Sequence, residues 1–423
     1  ELLMSMHPIL SALRRHKTGT TLIALQIALT LAIVCNALFI IRSQFEQMGR
    51  PTGLDERNLL TVATTQSGIN GSTDAGNAAL DASIKADLTV LRQLPDVVDA
   101  YETNSLPLSN NTWGLGIRMM PSGSYGSHTT YFHADEHTLA TLGLRLVAGR
   151  NFRSDEIGED GNFVGILQPA VIVVSKHLAD NLFPRGDALG KQIYFTSATQ
   201  PSTIVGIVER MQTSSTRSGT DNITWNTTLV PLRLVSSSRD YVVRTRPGRL
   251  AAAMQSVPAA LYAQDPQRVI PDGSGGDEVG VRSFAQIRAE AYQGDRTLAM
   301  LMGVISIILL VVTGSGIAGL SSFWVGQRRR QIGVRRALGA TRSDIVRYFL
   351  VENALISVAG VLVGTLLSFE FSGWLMGHFE LTRLSPGYVL VGVVMLMLLS
   401  QGAALAPAMR AARIAPVEAI RAS

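Results

Sequence analysis

Three histidines crowd one stretch, His128, His133 and His137, with Asp135 and Glu136 between them. Imidazole beside carboxylate is zinc-binding chemistry. The spacing argues against it. Thr138 onward reads as the start of a helix, so His133 and His137 share a face only if that helix begins earlier, and no HExxH or cysteine cluster accompanies them. Core or solvent-exposed histidines are the expectation. Phosphate chemistry fares no better. The string Gly186-Asp187-Ala188-Leu189-Gly190-Lys191-Gln192 is one residue short between its glycines for a Walker A loop, and Gln192 stands where Ser or Thr must hold Mg²⁺. No nucleophile elbow frames a Ser-His-Asp set. No catalytic, cofactor-binding or metal site is expected in this chain, which reads as a non-enzyme.

The residues that do suggest a task are basic. Residues 327–347 read QRRRQIGVRRALGATRSDIVR, between two long apolar runs. A basic loop between membrane spans stays in the cytoplasm, because Lys and Arg resist translocation. This one reads as a helix, a Gly-Ala-Thr break and a second helix entering the next span. Ile332, Val334, Ala337 and Leu338 can form an apolar stripe with Arg335 and Arg336 to one side. A short helix that seats in a partner's groove needs that pattern: apolar anchors supply affinity and charges set register. Gly339 suits a helix C-terminus. Thr341 with Asp344 three residues on resembles a capping box. Gln331, Ile332, Gly333, Val334, Arg335, Arg336, Ala337, Leu338, Gly339, Ala340 and Thr341 are therefore expected to dock a cytoplasmic partner. The plainer alternative is a loop that only fixes topology.

Polar groups inside the apolar runs are also candidates. Glu352, about two turns into the third run, is a candidate coupling carboxylate, since an ionisable group in a membrane is functional by default. Its plainer role is a salt bridge with Arg347 or Arg336. Gln26 and Asn36 in the first run seek partners across helices. Gly360 and Gly364, and Gly314, Gly316 and Gly319, allow close helix packing, within one subunit or against a second.

The elements that must position these residues follow from hydropathy. The 423 residues are 46% hydrophobic and 16% charged, with mean hydropathy +0.22. That balance marks an integral membrane protein with a sizeable soluble part. Lys and Arg (37) barely exceed Asp and Glu (32); the excess clusters beside the apolar runs, where topology explains it, so no nucleic-acid partner is expected. The single cysteine, Cys35, excludes an intrachain disulfide.

Spanning a bilayer takes about 20 apolar residues, and 20–42, 298–323, 345–377 and 388–406 qualify. Basic flanks (Arg14, Arg15 and Lys17; the arginines of 328–347; Arg410, Arg413 and Arg421) all fall on one side, so both termini are expected inside. The first run ends in Arg42 without a small-residue cleavage site and reads as an uncleaved anchor, behind an amphipathic segment 1–19 with Met4 or Met6 as the natural start. A short outer turn, 378–387, joins the last two spans, and 407–423 is a cytoplasmic tail. The expected fold is an α-helical membrane protein with four transmembrane helices and a large extracytoplasmic α+β domain, 43–295, inserted between helices 1 and 2. Within it, 58–65 and 97–101 read as strands around a helix over 81–94, with a loop over 67–77; 241–246 and 268–270 read as strands around a helix over 250–262. Two β-α-β units, about 55–110 and 235–275, suggest a duplicated α/β domain. A β-rich insertion, about 111–234, separates them, and a polar helix over 281–294 forms a stalk.

At residues 331–340, QIGVRRALGA, the chain resembles the MacB/FtsX-like ABC permease family, whose pattern there is close to E-I-G-[IV]-R-[RK]-A-L-G-A. PAMRAARIAPVEAIR at 407–421 resembles the family's ending; LGLRLVAGRNF at 142–152, residues 170–190 and TIVGIV at 203–208 resemble its periplasmic core. The resemblance implies the permease subunit of an exporter or mechanotransmission complex in the bacterial inner membrane. It would pair with a second permease and with two copies of a cytoplasmic ABC ATPase, which holds the ATP and Mg²⁺. A periplasmic adaptor and an outer-membrane duct are further family partners, and the lipid bilayer is the surroundings. Lipoprotein extraction, or a regulator relaying ATPase motion to a periplasmic hydrolase or signalling partner, are rival tasks. Two departures bear on the partner: Gln331 replaces the acid usual before Ile-Gly, and Ala415 replaces the acid before the tail proline. Both remove negative charge from the inner face, and a non-identical second permease is slightly favoured over a homodimer.

Overall fold

The computed structural model describes residues 17–160, 166–216, 223–273, 279–379 and 384–413. Most of the amphipathic 1–19 segment, Arg14 and Arg15, the middle of the 378–387 turn, and Ala415 and Arg421 with the PVEAIR end of the tail lie outside the described residues. The chain divides into a helical unit, up to Met48 and from Gly294 on, and an inserted unit, Gly49–Gln293.

Helix α1 (Lys17–Met48) runs 32 residues. The inserted unit then begins with β1 (Leu59–Thr65), α2 (Asp74–Gln93) and β2 (Val97–Thr103). The α2 helix starts inside the expected 67–77 loop, because the Thr73 hydroxyl accepts from the Gly76 N–H and caps it. It stops at Leu94, whose extended backbone is what a residue before proline adopts. Leu80, Ile84, Leu88 and Leu91 recur at helical spacing on its buried face.

Next come β3 (Gly114–Arg118), β4 (Tyr125–His133), α3 (Thr138–Leu142), β5 (Leu146–Gly149), β6 (Gly158–Asp160), β7 (Val171–Ser175), α4 (Lys176–Leu182), β8 (Gln192–Phe195), β9 (Ser202–Val208), β10 (Thr227–Val230) and β11 (Leu232–Leu234). Strands β5, β9, β7, β10, β4, β3 and β8 form one sheet in that order, and an added β8–β9 pairing closes six of them into a ring. Ile117, Ile172, Val174, Ile193, Phe195, Ile204 and Val230 fill it. The β-rich insertion of the sequence is thus a small barrel. It is followed by β12 (Ser238–Thr245), α5 (Leu250–Gln264), β13 (Val281–Ser283) and α6 (Phe284–Ala291).

The two β-α-β units interlock. Strands β1 and β2 are both antiparallel to β12, which lies between them. The second unit's return strand is a single bridge, Val269 to Thr65, on the far edge of β1, an edge it shares with β13. Helices α2 and α5 contribute Ile84, Leu88, Val257 and Leu261 to one core with Leu60, Val62, Tyr241 and Val243. Asp87 on α2 pins the halves: it accepts from the Arg268 guanidinium at 2.6 Å and from the Tyr241 hydroxyl at 2.6 Å, with the ion pair fully buried. The stalk differs from expectation. Residues 281–283 add a strand to the open edge of β1, 284–291 are helix, and the next helix begins at Gln293.

The helical unit continues with α7 (Gln293–Gln327), α8 (Arg329–Ala337), α9 (Arg342–Phe379) and α10 (Pro386–Ala412). Among the described residues four helices, α1, α7, α9 and α10, are long and apolar enough to cross a membrane. At 1.5 Å per residue the 35 residues of α7 extend about 50 Å, well beyond the roughly 30 Å hydrocarbon core. Helix α1 packs most closely on α9. A Cβ at Gly360 would lie 2.7 Å from the Ala24 carbonyl oxygen, and one at Gly364 2.9 Å from the Ala28 Cα. Ile23, Ile27, Leu31, Ile356 and Leu396 complete that core.

Candidate functional site

The basic stretch between α7 and α9 folds as a helical elbow. Gly339 adopts a left-handed backbone (φ +101°) that ends the first arm. The second arm starts at a reciprocal cap: the Thr341 N–H donates to the Asp344 carboxylate at 2.9 Å and the Asp344 N–H donates to the Thr341 hydroxyl at 3.2 Å.

The apolar residues of the elbow do not form one stripe. Ile332 is buried with Val325, Ile345, Ala411 and Ala412, whereas Val334 is 46% and Leu338 83% exposed. Helical geometry explains the split. At about 100° per residue, Ile332 and Val334 point about 200° apart, while Val334 and Leu338 lie about 40° apart. Ile332 therefore anchors the elbow to its own subunit, and Val334 and Leu338 face outward. Gly333 is buried; Gln331, Arg335, Ala337, Gly339 and Thr341 are exposed, and Arg336 and Ala340 are half-buried. The Arg335 guanidinium stands 4.7 Å from the centre of the Tyr348 ring, a cation–π contact between the two arms.

Glu352 is buried and bonded to neither Arg347 nor Arg336 in the ion pairs described. Its partner is Arg328, whose Nη1 donates to both carboxylate oxygens at 3.0 and 2.7 Å. Arg328 lies between α7 and α8, at the N-cap of α8, so this pair ties the entry of the elbow to the body of α9. The next residue, Asn353, donates to the Ser400 carbonyl and hydroxyl at 3.0 and 2.8 Å, and one turn further the Ser357 hydroxyl meets that of Ser400 at 2.5 Å. This junction joins α9 to α10. The sequence reading missed Arg328, Asn353, Ser357 and Ser400. Small polar residues at helical spacing inside apolar runs were the available signal.

The remaining polar candidates bond within the subunit. Gln26 donates to the Val312 carbonyl at 3.1 Å, linking α1 to α7. Asn36 donates to its own helix at Ala32 (2.8 Å) and to the Ser368 carbonyl on α9 (3.3 Å). A Cβ at Gly316 would press on the Gln26 amide, and one at Gly314 would touch Leu399, while Gly319 faces open space.

In the inserted unit, His133 is fully buried, His128 is exposed, and His137 bonds Asp99 at 3.0 Å through its Nδ1. No cluster able to hold a metal ion occurs among the described residues. Burial pushes the Glu102 carboxyl up to about 8, against the opposing pull of the Leu234 N–H that donates to it. Burial likewise raises the Asp135 carboxyl, although Arg92 beside it pulls the other way. Arg150, bonded to Glu156, holds that carboxyl below its ordinary range.

Comparison with known proteins gives two family matches. Residues 20–260 match the MacB-like periplasmic core domain, and residues 303–416 match the FtsX-like permease C-terminal domain. Among relatives, the macrolide export ATP-binding/permease protein MacB of Neisseria gonorrhoeae is 26% identical over 76% of this chain and 47% of its own length. The ABC transporter permease YknZ of Bacillus subtilis is 24% identical over 72% of this chain and 76% of its own length. The chain thus spans about half the length of the MacB relatives it matches. The crystal structure of the periplasmic region of MacB from Actinobacillus actinomycetemcomitans aligns with 13% identity and a TM-score of 0.33, over 58% of this chain and 97% of that one.

Proposed function

The chain belongs to the ABC transporter permease family that joins a MacB-like periplasmic core domain to an FtsX-like permease domain, and from that membership we propose that it is the transmembrane subunit of an exporter or mechanotransmission complex. Its energy comes from ATP hydrolysis, with Mg²⁺, by a cytoplasmic ABC ATPase dimer lying outside these 423 residues. The elbow faces the cytoplasm and the inserted unit the periplasm, as the placement of arginines favours. A second permease subunit, identical or not, completes the membrane assembly. The name carried by the MacB relatives favours efflux as the task.

The observation that carries this reading is the construction of the elbow. One side is welded to the subunit through Ile332, and the other presents Val334 and Leu338 bare. Exposed leucine on a capped, cationic helix end is what a partner groove can grip. A push on Leu338 passes to α8, then through the Arg328–Glu352 pair and the Ile332 cluster into α9. Helix α9 grips α1 through Gly360 and Gly364. Both α1 and α7 connect by chain to the inserted unit, so helix displacement becomes work there, with no catalytic group needed in this chain.

The test is purification of the intact complex from membranes, followed by ATPase measurement with and without the permease. An ABC ATPase should co-purify, and Leu338→Asp should abolish permease-dependent changes in its turnover. A complex that contains no ATPase, or an ATPase indifferent to Leu338→Asp, refutes the proposal.

A further inference from the structure

Helices α9 and α10 leave a groove of about 760 Å³ between their elbow-side ends. Its floor is apolar, with Leu350 and the 44%-exposed Met409 among the lining residues. Three arginines stand on it, Arg342, Arg347 and Arg413, and no carboxylate lines it among the described residues. Of the acids close in sequence to its lining, Asp344 is turned to the Thr341 cap and Glu352 to Arg328. Gln401 also lines the groove, and its buried side-chain nitrogen has no hydrogen-bond partner among the described residues. An orphaned buried donor costs free energy unless a ligand supplies an acceptor.

We infer that this groove holds one anionic glycerophospholipid of the cytoplasmic leaflet. The arrangement fits the layers of such a molecule. Arginine guanidinium groups bind phosphate oxygens at the membrane surface. Gln401 lies on α10 beside the Asn353–Ser400 junction, about six residues or 9 Å along α9 from Arg347. That depth suits the glycerol ester carbonyls, which accept hydrogen bonds and donate none. The apolar floor then takes acyl chain. A second permease copy or an ATPase helix would leave Gln401 and three like charges to be matched by a folded surface; a phospholipid matches both with groups it always carries. The lipid would sit against the arm that follows the elbow and stiffen its packing on α10. This inference shares the orientation proposed above but not the ATPase, so it stands or falls separately.

Native mass spectrometry of the full chain, exchanged from vesicles of phosphatidylglycerol or of phosphatidylcholine, tests it. Wild type should retain one phosphatidylglycerol and no phosphatidylcholine. At about fivefold per arginine, Arg342→Gln, Arg347→Gln and Arg413→Gln together should weaken retention about a hundredfold. Arg185→Gln with Arg246→Gln in the inserted unit, a similar loss of charge elsewhere, should not. Met409→Trp, which fills the groove without touching a charge, should also exclude the lipid while thermal unfolding stays unchanged. Equal retention of the two lipids, retention that survives Met409→Trp, or a dimer in place of bound lipid that Met409→Trp disperses, would overturn the inference.

Discussion

Leu338→Ala separates docking from folding. Leu338 is 83% exposed, so its truncation removes almost nothing from the interior. Burying a leucine side chain completely is worth about 1.5–3 kcal/mol. Alanine keeps one of the four side-chain carbons, which leaves about 1–2 kcal/mol to be lost from a contact that covers Leu338. At 1.4 kcal/mol per tenfold, the dissociation constant for the ATPase should rise about 5- to 30-fold. The assay is titration of the permease in nanodiscs with the ABC ATPase that co-purifies with it, alongside thermal unfolding of the permease alone. Unfolding should be unmoved within about 0.5 kcal/mol. Ile332→Ala should do the reverse: this residue is 4% exposed, and the cavity should cost about 2–4 kcal/mol of stability. If Leu338→Ala binds the ATPase as tightly as wild type, the outward face of the elbow is not the grip and the argument fails.

Arg328→Met should cost about 3–5 kcal/mol by stranding Glu352, and adding Glu352→Leu should recover most of it; denaturant titration in detergent reads both, and a double variant no better than the single one would show that pairing is not what holds the junction. Gly364→Leu should destabilise the helical unit by about 1–3 kcal/mol because its Cβ meets α1 backbone, whereas Gly319→Leu should be silent in the same unfolding assay; equal effects would contradict the close approach. Glu102 is raised to about 8 in the fold against about 4.3 unfolded, so the folded state binds the extra proton. Its contribution to stability is complete below the unfolded value and is lost as pH rises from about 4.3 through about 8. Glu102→Gln should remove that decline from the pH profile of unfolding, and parallel profiles for the two proteins would refute the assignment.

The four spans were legible because bilayer thickness imposes a length that hydropathy alone reports. The elbow was legible for a different reason: Gly339 and the Thr341–Asp344 pair are local devices whose partners sit within three residues. What failed needed three dimensions. Any of several arginines could reach Glu352 by sequence separation, and only the direction in which α7 leaves Arg328 selects the partner. Residues 281–283, expected as helix, fold as strand because β1 has an open edge beside them, and nothing in those three side chains announces that edge. The Ile332–Leu338 stripe failed by helical arithmetic: two residues apart is nearly the opposite face. Asn353, Ser357 and Ser400 looked ordinary singly, and gain meaning only where two helices meet.

The barrel departs from β2 at Thr103 and the chain returns at β12, where Thr103 stands opposite Asp240. Exit and re-entry are therefore neighbours across a single antiparallel pair, about 5 Å apart. A tight turn could bridge that gap. The whole excursion behaves as a cassette plugged into a hairpin: its size and decoration can change while the interlocked sheet beneath keeps its register. Variation in the barrel's surface can then accumulate without disturbing the sheet it is plugged into.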